Sequence, residues 1–173
     1  IKVNSVNFNK DQEEIEKTNQ LYSYILYLTL PLQISFLIWF LYIMEQTNIS
    51  LLDSIGRISA MGIMCGIIGI NVGHELGHRN NRFEQLLGEI LLTTSLENHF
   101  LPYHNGGHHF NVATPNDAAT ARKNEPLYLF WFRSHFMSYM KAWELEKKRL
   151  NDSNKKWLHP KNSMLIYTII NSA

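Results

Sequence analysis

Two groups of histidines carry the chemistry that this sequence can offer. The first lies in the stretch NVGHELGHRNN at 71–81, where HELGH fits the pattern H-E-x-x-H. On a helix, His74 and His78 are four residues apart, so both imidazoles leave the same face. In zinc peptidases such histidines hold the metal, and a glutamate in the position of Glu75 activates water. This first motif therefore predicts a metal site and leaves open a protease or another metal chemistry.

The second group lies in 97–109, which reads ENHFLPYHNGGHH. Here the pattern H-x-x-x-H-H is formed by His104, His108 and His109, and His99 precedes it. Six of the eight histidines in the chain fall between residues 74 and 109. The two patterns supply five imidazoles, whereas one tetrahedral zinc takes three or four protein ligands, so five indicate two metals. Imidazole suits iron, copper and zinc alike, and the ligand type does not name the metal.

The elements that position these histidines are predicted to be membrane helices. Residues 21–44 contain no charged side chain, and about 20 apolar residues suffice for a helix to cross a bilayer. A second run, 51–73, is uncharged from Ile58 to Gly73 and repeats glycine at small-xxx-small spacing, which permits close helix packing in lipid. Because only EQTNIS separates the two runs, they should form an antiparallel hairpin.

The distribution of basic residues predicts the orientation of this hairpin. Arg57 is the only basic residue in or near the connection at 45–57, whereas lysines occur before the first helix and Arg79 and Arg82 follow the second. By the positive-inside rule, residues 1–20 and the segment from His74 onward lie in the cytoplasm. We therefore expect an all-α integral membrane bundle with its histidine patterns at the cytoplasmic ends of the helices.

The predicted organisation is a cytoplasmic arm at 1–20 followed by a partial membrane domain at 21–173. Within that domain the spanning helices are followed by a histidine-rich region at 74–150, a polar linker at 151–162 and a truncated helix at 163–173. Residues 127–140 are apolar but short and interrupted by Arg133, which predicts an interfacial, re-entrant or protein-buried helix. Residues 141–150 predict a separate amphipathic surface helix. The chain begins at Ile1 and stops in the apolar run MLIYTIINSA, so we expect an internal fragment.

Composition excludes several other classes of protein. The net charge is only +1, with 16 basic and 15 acidic residues, so no charge excess favours nucleic-acid binding. The single cysteine, Cys65, excludes a disulfide framework within the chain.

Three stretches resemble the membrane-bound non-haem di-iron alkane 1-monooxygenases, a family within the membrane fatty acid desaturase/hydroxylase superfamily. These stretches are NVGHELGHR, NHFLPYHNGGHHFNVATPNDAATAR and KAWELEKKR, and the resemblance covers roughly residues 71–150. It implies two iron ions with ligands among His74, His78, His104, His108 and His109. It also implies terminal hydroxylation of an alkane by O2 in a bacterial inner membrane, with electrons from rubredoxin or a similar carrier and substrate from the bilayer lipid.

The other candidate residues have supporting roles in the resemblance. Glu75, inside the first box, is expected to orient a ligand imidazole. His99 is expected to support a ligand, with direct metal binding left open, while His135 and His159 match no box and are expected to be structural or exposed. Asp117 matches an acidic position of the family's loop, although a turn-forming aspartate explains it equally well.

The chain departs from the family in two respects. Tyr103 stands where members usually have glutamate, and a third histidine box is missing from the sequence up to Ala173. The remaining iron ligands are therefore expected beyond Ala173.

Three rival functions remain open. Fatty-acyl desaturation or hydroxylation would use the same scaffold. A membrane zinc metallopeptidase would use HELGH but leaves the second box unexplained. A non-enzymatic membrane protein is expected to have scattered histidines, not grouped ones.

Overall fold

All regular structure in the described part of the chain is helical. The computed structural model describes residues 9–17, 19–46 and 48–172, and these contain no β-strand. Of the predicted arm at 1–20, residues 1–8 and Thr18 lie outside the described residues, and Lys10–Lys17 forms helix α1. The all-α prediction is confirmed for the residues that are described.

Two long helical runs match the predicted hairpin. Helix α2 spans Gln20–Met44 and is capped by the Asn19 side chain, which accepts a hydrogen bond from the Leu21 amide. The second run comprises α3 (Leu51–Met64), a π-helical segment (Cys65–Ile70) and α4 (Asn71–Gly77). Both runs are long and apolar enough to cross a membrane, by length and composition. The second run continues to Gly77, beyond the predicted end at residue 73, and so carries the first histidine box on its last turn.

Helix α5 (Arg82–Thr93) packs back against α4 at very short range. A methyl group added at Gly88 would lie 2.7 Å from the carbonyl oxygen of Gly73, and one at Gly73 would lie 2.9 Å from Leu92 Cγ. By contrast, Gly62 and Gly66 have no atom within 4 Å of such a methyl group. Within the glycine repeat, the close helix contact is therefore made at Gly73, next to the first histidine box, and not at Gly62 or Gly66.

Substitution of these glycines should separate a packing requirement from helix propensity. We expect Gly88→Ala to lower the free energy of unfolding by about 1–3 kcal/mol, because backbone lies in the way of the new methyl group. The matched variant Gly62→Ala should be neutral or stabilising by about 0.5–1 kcal/mol, since alanine favours an open helix position. Denaturant unfolding in detergent measures both, and equal effects would contradict the tight α4–α5 contact.

The second histidine box lies on a distorted helix. Helix α6 (Phe100–Tyr103) passes into a π-helical segment (His104–His108) and then into α7 (His109–Asn111). The Gly106-Gly107 pair, which disfavours regular α-helix, lies inside this π segment. Such π segments occur frequently at functional sites because they change the direction in which side chains point.

The region after the loop forms one helix where the sequence predicted two. Helix α8 spans Leu127–Asp152 without a break, so the prediction of two helices at 127–140 and 141–150 is wrong. The helix also extends two residues into the linker predicted at 151–162. Its second half carries buried side chains, Ala142, Glu146 and Leu150. Ala142 packs in a core with Tyr103, Ala118 and Met164 of α9 (Ser163–Ser172), which places α8 beside the second box.

Candidate metal centre

Three histidine side chains meet at one point between the two boxes. His74 lies on α4, His78 follows at its C-terminus, and His104 begins the π segment of the second box. Their Nε2 atoms form a triangle with sides of 2.7 Å (His74–His78), 2.8 Å (His74–His104) and 3.1 Å (His78–His104). Box one and box two thus share a single locus.

Hydrogen bonding alone does not account for this triangle. A neutral imidazole nitrogen either carries a proton and donates or carries a lone pair and accepts. Among three mutually contacting nitrogens, at least two must be of the same kind, so at least one contact sets donor against donor or lone pair against lone pair. A cation that receives all three lone pairs satisfies every contact.

The spacing and the charge state both fit such a cation. Ligand nitrogens bound at about 2.0–2.1 Å and at right angles to each other are separated by about 2.9 Å, close to the observed distances. Burial, reinforced by the neighbouring imidazoles, lowers the pKa of His104 to about 3. Its ring is therefore neutral near pH 7, which is the form that binds metal.

The other two box histidines surround this triangle. The His109 ring lies 4.4 Å from that of His104 and 5.0 Å from that of His78, measured between centroids. The His108 ring stacks on His104 at 5.2 Å. The structure brings the two boxes together, and the binding of metal by these five histidines stays a prediction.

Asp117 fixes the orientation of His108. Its carboxylate is buried, and Oδ2 accepts a hydrogen bond of 2.9 Å from His108 Nδ1. Burial acts to raise the pKa of Asp117, but hydrogen bonds from Thr120, Tyr103, the Ala119 amide and His108 hold it at about 2. The ionised carboxylate only accepts, so His108 carries its proton on Nδ1 and leaves the Nε2 lone pair free. Asp117 Oδ1 also accepts a hydrogen bond from the Ala119 amide, as a turn-forming aspartate does, so the structure shows the turn role together with a contact to a box histidine.

Tyr103 belongs to the same network. Its hydroxyl donates to Asp117 Oδ1 (2.6 Å) and accepts from the Ala118 amide (2.7 Å). The residue that departs from the family pattern therefore holds the carboxylate that orients His108.

Arg133 holds the loop that carries Asp117. It extends from α8, donates to the carbonyl oxygens of Ala118 and Thr120, and pairs with the carboxylate of Glu125. The charge that interrupted the apolar run in the sequence is thus satisfied by the loop of the second box.

The Glu125–Arg133 pair should make the stability of this loop depend on pH. The hydrogen bond from Arg133, with a further one from the Arg122 amide, lowers the pKa of Glu125 from 4.5 to about 2. A lowered pKa in the folded state means that the stabilisation is complete above pH 4.5 and is lost as the pH falls toward 2. We expect Tm to fall over this window in the wild type and less steeply in Glu125→Gln. Parallel curves would contradict this role.

Of the remaining candidate residues, Glu75 pairs with Arg79 at 3.0 Å, and His159 Nδ1 accepts from the Lys161 amide. His99 is buried, and Glu97 lies between it and His135. Glu97 was not among the predicted site residues and His135 had no predicted partner, because no local spacing joins two residues so far apart in the chain.

Comparison with known proteins places the histidine boxes in context. Residues 55–171 match the family model described as fatty acid desaturase. Alkane 1-monooxygenase 2 of Alcanivorax borkumensis is 37% identical over 124 residues, which cover 72% of this chain and 32% of that protein. Alkane 1-monooxygenase of Pseudomonas putida is 35% identical over 83% of this chain and 36% of its own length. That of Acinetobacter baylyi is 33% identical over 91% and 39%, respectively. The chain spans about a third of the length of these curated relatives.

Proposed function

The chain belongs to the fatty acid desaturase family, and from that membership we propose that it forms part of a membrane di-iron monooxygenase. The proposed reaction is terminal hydroxylation of an alkane to a 1-alkanol, the reaction that the names of its relatives describe. The observation that carries the proposal is the triangle of His74, His78 and His104 Nε2 atoms, which joins both boxes at one point.

The residues of this chain bind and orient the metal and limit the access of water. His74, His78, His104, His108 and His109 are the proposed ligands, and Asp117 holds His108 in the tautomer that binds through Nε2. When bound, iron supplies the redox chemistry with O2, in which one oxygen atom enters the substrate and the other leaves as water. Phe100, Phe130 and Trp131 line the cavity beside His104 and His108 and give it an apolar wall. An apolar wall favours a hydrocarbon over competing water.

The proposed setting is a bacterial inner membrane with the histidine boxes facing the cytoplasm. The excess of basic residues at the ends predicted to be cytoplasmic supports this orientation. Residues 1–20 then form a cytoplasmic arm, and 21–173 form part of the membrane domain. A cytoplasmic electron carrier such as rubredoxin can reach the boxes from this side, and an alkane dissolved in the lipid can enter laterally.

Five imidazoles do not saturate two irons, so we propose that further ligands come from elsewhere in the full protein. The relatives are about three times as long as the matched region, which leaves room for such ligands. Stoichiometric iron binding and turnover should therefore require the full polypeptide.

The test uses the full-length protein in membranes with rubredoxin, rubredoxin reductase, NADH, a medium-chain alkane and 18O2. We expect a 1-alkanol with one labelled oxygen atom and two iron ions per chain. If only fatty-acyl substrates react, the reaction is that of the rival on the same scaffold. Zinc in place of iron, together with peptide cleavage that Glu75→Gln abolishes, would establish the peptidase and refute the proposal.

A further inference from the structure

A second cluster of metal-binding side chains lies outside the histidine boxes. Glu97 and His99 belong to the turn between α5 and α6, and His135 extends from the first half of α8. One ligand atom from each of the three falls within 4.8 Å of the other two. The centroids of the two imidazole rings are 5.2 Å apart, with the ring planes nearly perpendicular.

The distances inside this cluster are longer than direct ion-pair hydrogen bonds require. His99 Nε2 lies 3.4 Å from one Glu97 oxygen, and His135 Nδ1 lies 3.2 Å from the other. Charge-assisted N–H···O hydrogen bonds usually measure about 2.7–2.9 Å. Ligand atoms of a tetrahedral zinc site with bonds of about 2.0–2.1 Å are separated by about 3.3–3.4 Å. The two distances join different oxygens of Glu97, so they place the carboxylate between the two imidazoles at a range longer than a direct charge-assisted hydrogen bond.

The surroundings also fit a bound ion. His99 is buried, whereas 57% of the His135 side chain is exposed, so the cluster has a protected side and an entry side. All three residues line the cavity of about 180 Å³ that His104 and His108 also line, so the cluster is adjacent to the histidine boxes but uses different side chains. Leu96, immediately before Glu97, adopts a positive φ of 58°, a conformation that leucine rarely occupies. Strained backbone of this kind is found where a side chain must be held at a functional position.

We propose that Glu97, His99 and His135 form a second binding site for a divalent transition metal, with zinc as the proposed occupant and water as its fourth ligand. Two imidazoles, one carboxylate and one open position constitute a ligand set that zinc uses in proteins. A metal here joins the turn before the second box to α8, the helix that also carries Arg133. This site does not depend on the hydroxylation chemistry proposed above.

The experiment measures metal binding to the full-length, iron-loaded protein after treatment with a mild chelator. Zn2+ is titrated against a chromophoric competitor, and Co2+ is used as a spectroscopic probe of tetrahedral geometry. We expect one Zn2+ per chain beyond the iron, with affinity at least about 10-fold weaker in Glu97→Gln and His135→Ala. The control His159→Ala, at a histidine outside both clusters, should bind as the wild type does. Melting curves verify that each variant is folded, and Glu97→Gln preserves side-chain shape.

The outcomes separate this site from the histidine boxes. Zinc affinity unchanged in both variants, or no zinc bound at micromolar concentration, overturns the proposal. If the full-length protein binds zinc at this site but holds no iron and forms no alkanol, the result counts against the proposed monooxygenase and not against the zinc site. Loss of zinc in Glu97→Gln with iron retained supports a second, separate site.

Discussion

His104→Ala is expected to remove iron from the full-length protein and to lower alkanol formation by more than about 100-fold. His104 contributes one corner of the Nε2 triangle, and its ring is in contact with those of all four other box histidines. Loss of a partner that only supports a ligand already costs about 10–100-fold in metal affinity or activity. Removal of a ligand should cost more, and the same result is expected for His74→Ala and His78→Ala.

The measurement is iron content by elemental analysis together with alkanol yield. His159→Ala serves as the matched control, because it removes a histidine outside the boxes and should retain both properties. Helical content by circular dichroism distinguishes an empty site from an unfolded protein. A folded His104→Ala protein with normal iron content would show that the triangle is not the metal site.

Asp117→Asn is expected to lower iron affinity or activity by about 10–100-fold, although the residue is not itself a proposed ligand. Each carboxylate oxygen of Asp117 accepts two hydrogen bonds. Oδ1 accepts from the Tyr103 hydroxyl and the Ala119 amide. Oδ2 accepts from His108 Nδ1 and the Thr120 hydroxyl. An amide group must place NH2 at one of these positions. The asparagine NH2 cannot face the Ala119 N–H, because both groups only donate. The NH2 therefore takes the position of Oδ2, where the Thr120 hydroxyl and His108 Nδ1 can both act as acceptors.

His108 accepts through Nδ1 only by moving its proton to Nε2, which then has no lone pair for metal. The matched control is Tyr103→Phe, which removes a different bond to the same carboxylate and leaves His108–Asp117 intact. It should cost about 1–3 kcal/mol of stability through the unpaired Ala118 amide, with a much smaller effect on iron affinity. Iron titration and denaturant unfolding of both variants test the distinction. Equal iron affinity in Asp117→Asn and the wild type would contradict the tautomer argument.

The features that the sequence predicted correctly depend on short-range periodicity. The four-residue step in HELGH puts His74 and His78 on one helix face whatever the rest of the chain does. Uncharged runs of about 20 residues form the two long helical runs, which are long and apolar enough to cross a membrane. Helix α8 was predicted as two helices because the apolar residues 127–140 are followed by the charged residues 141–150, and such a change in composition does not end a helix.

Tertiary structure alone decided the contacts between residues far apart in the chain. Asp117 could have been an ordinary turn residue until the fold placed it against His108. Glu97 and His135 have no relation in sequence, and they meet because α8 packs against α6, which begins three residues after Glu97. Local spacing fixes which side chains share a helix face, whereas the distance between two elements depends on how they pack, at places such as the contact between Gly73 and Gly88. The sequence therefore determined the histidine boxes, and the packing of the helices determined what supports them.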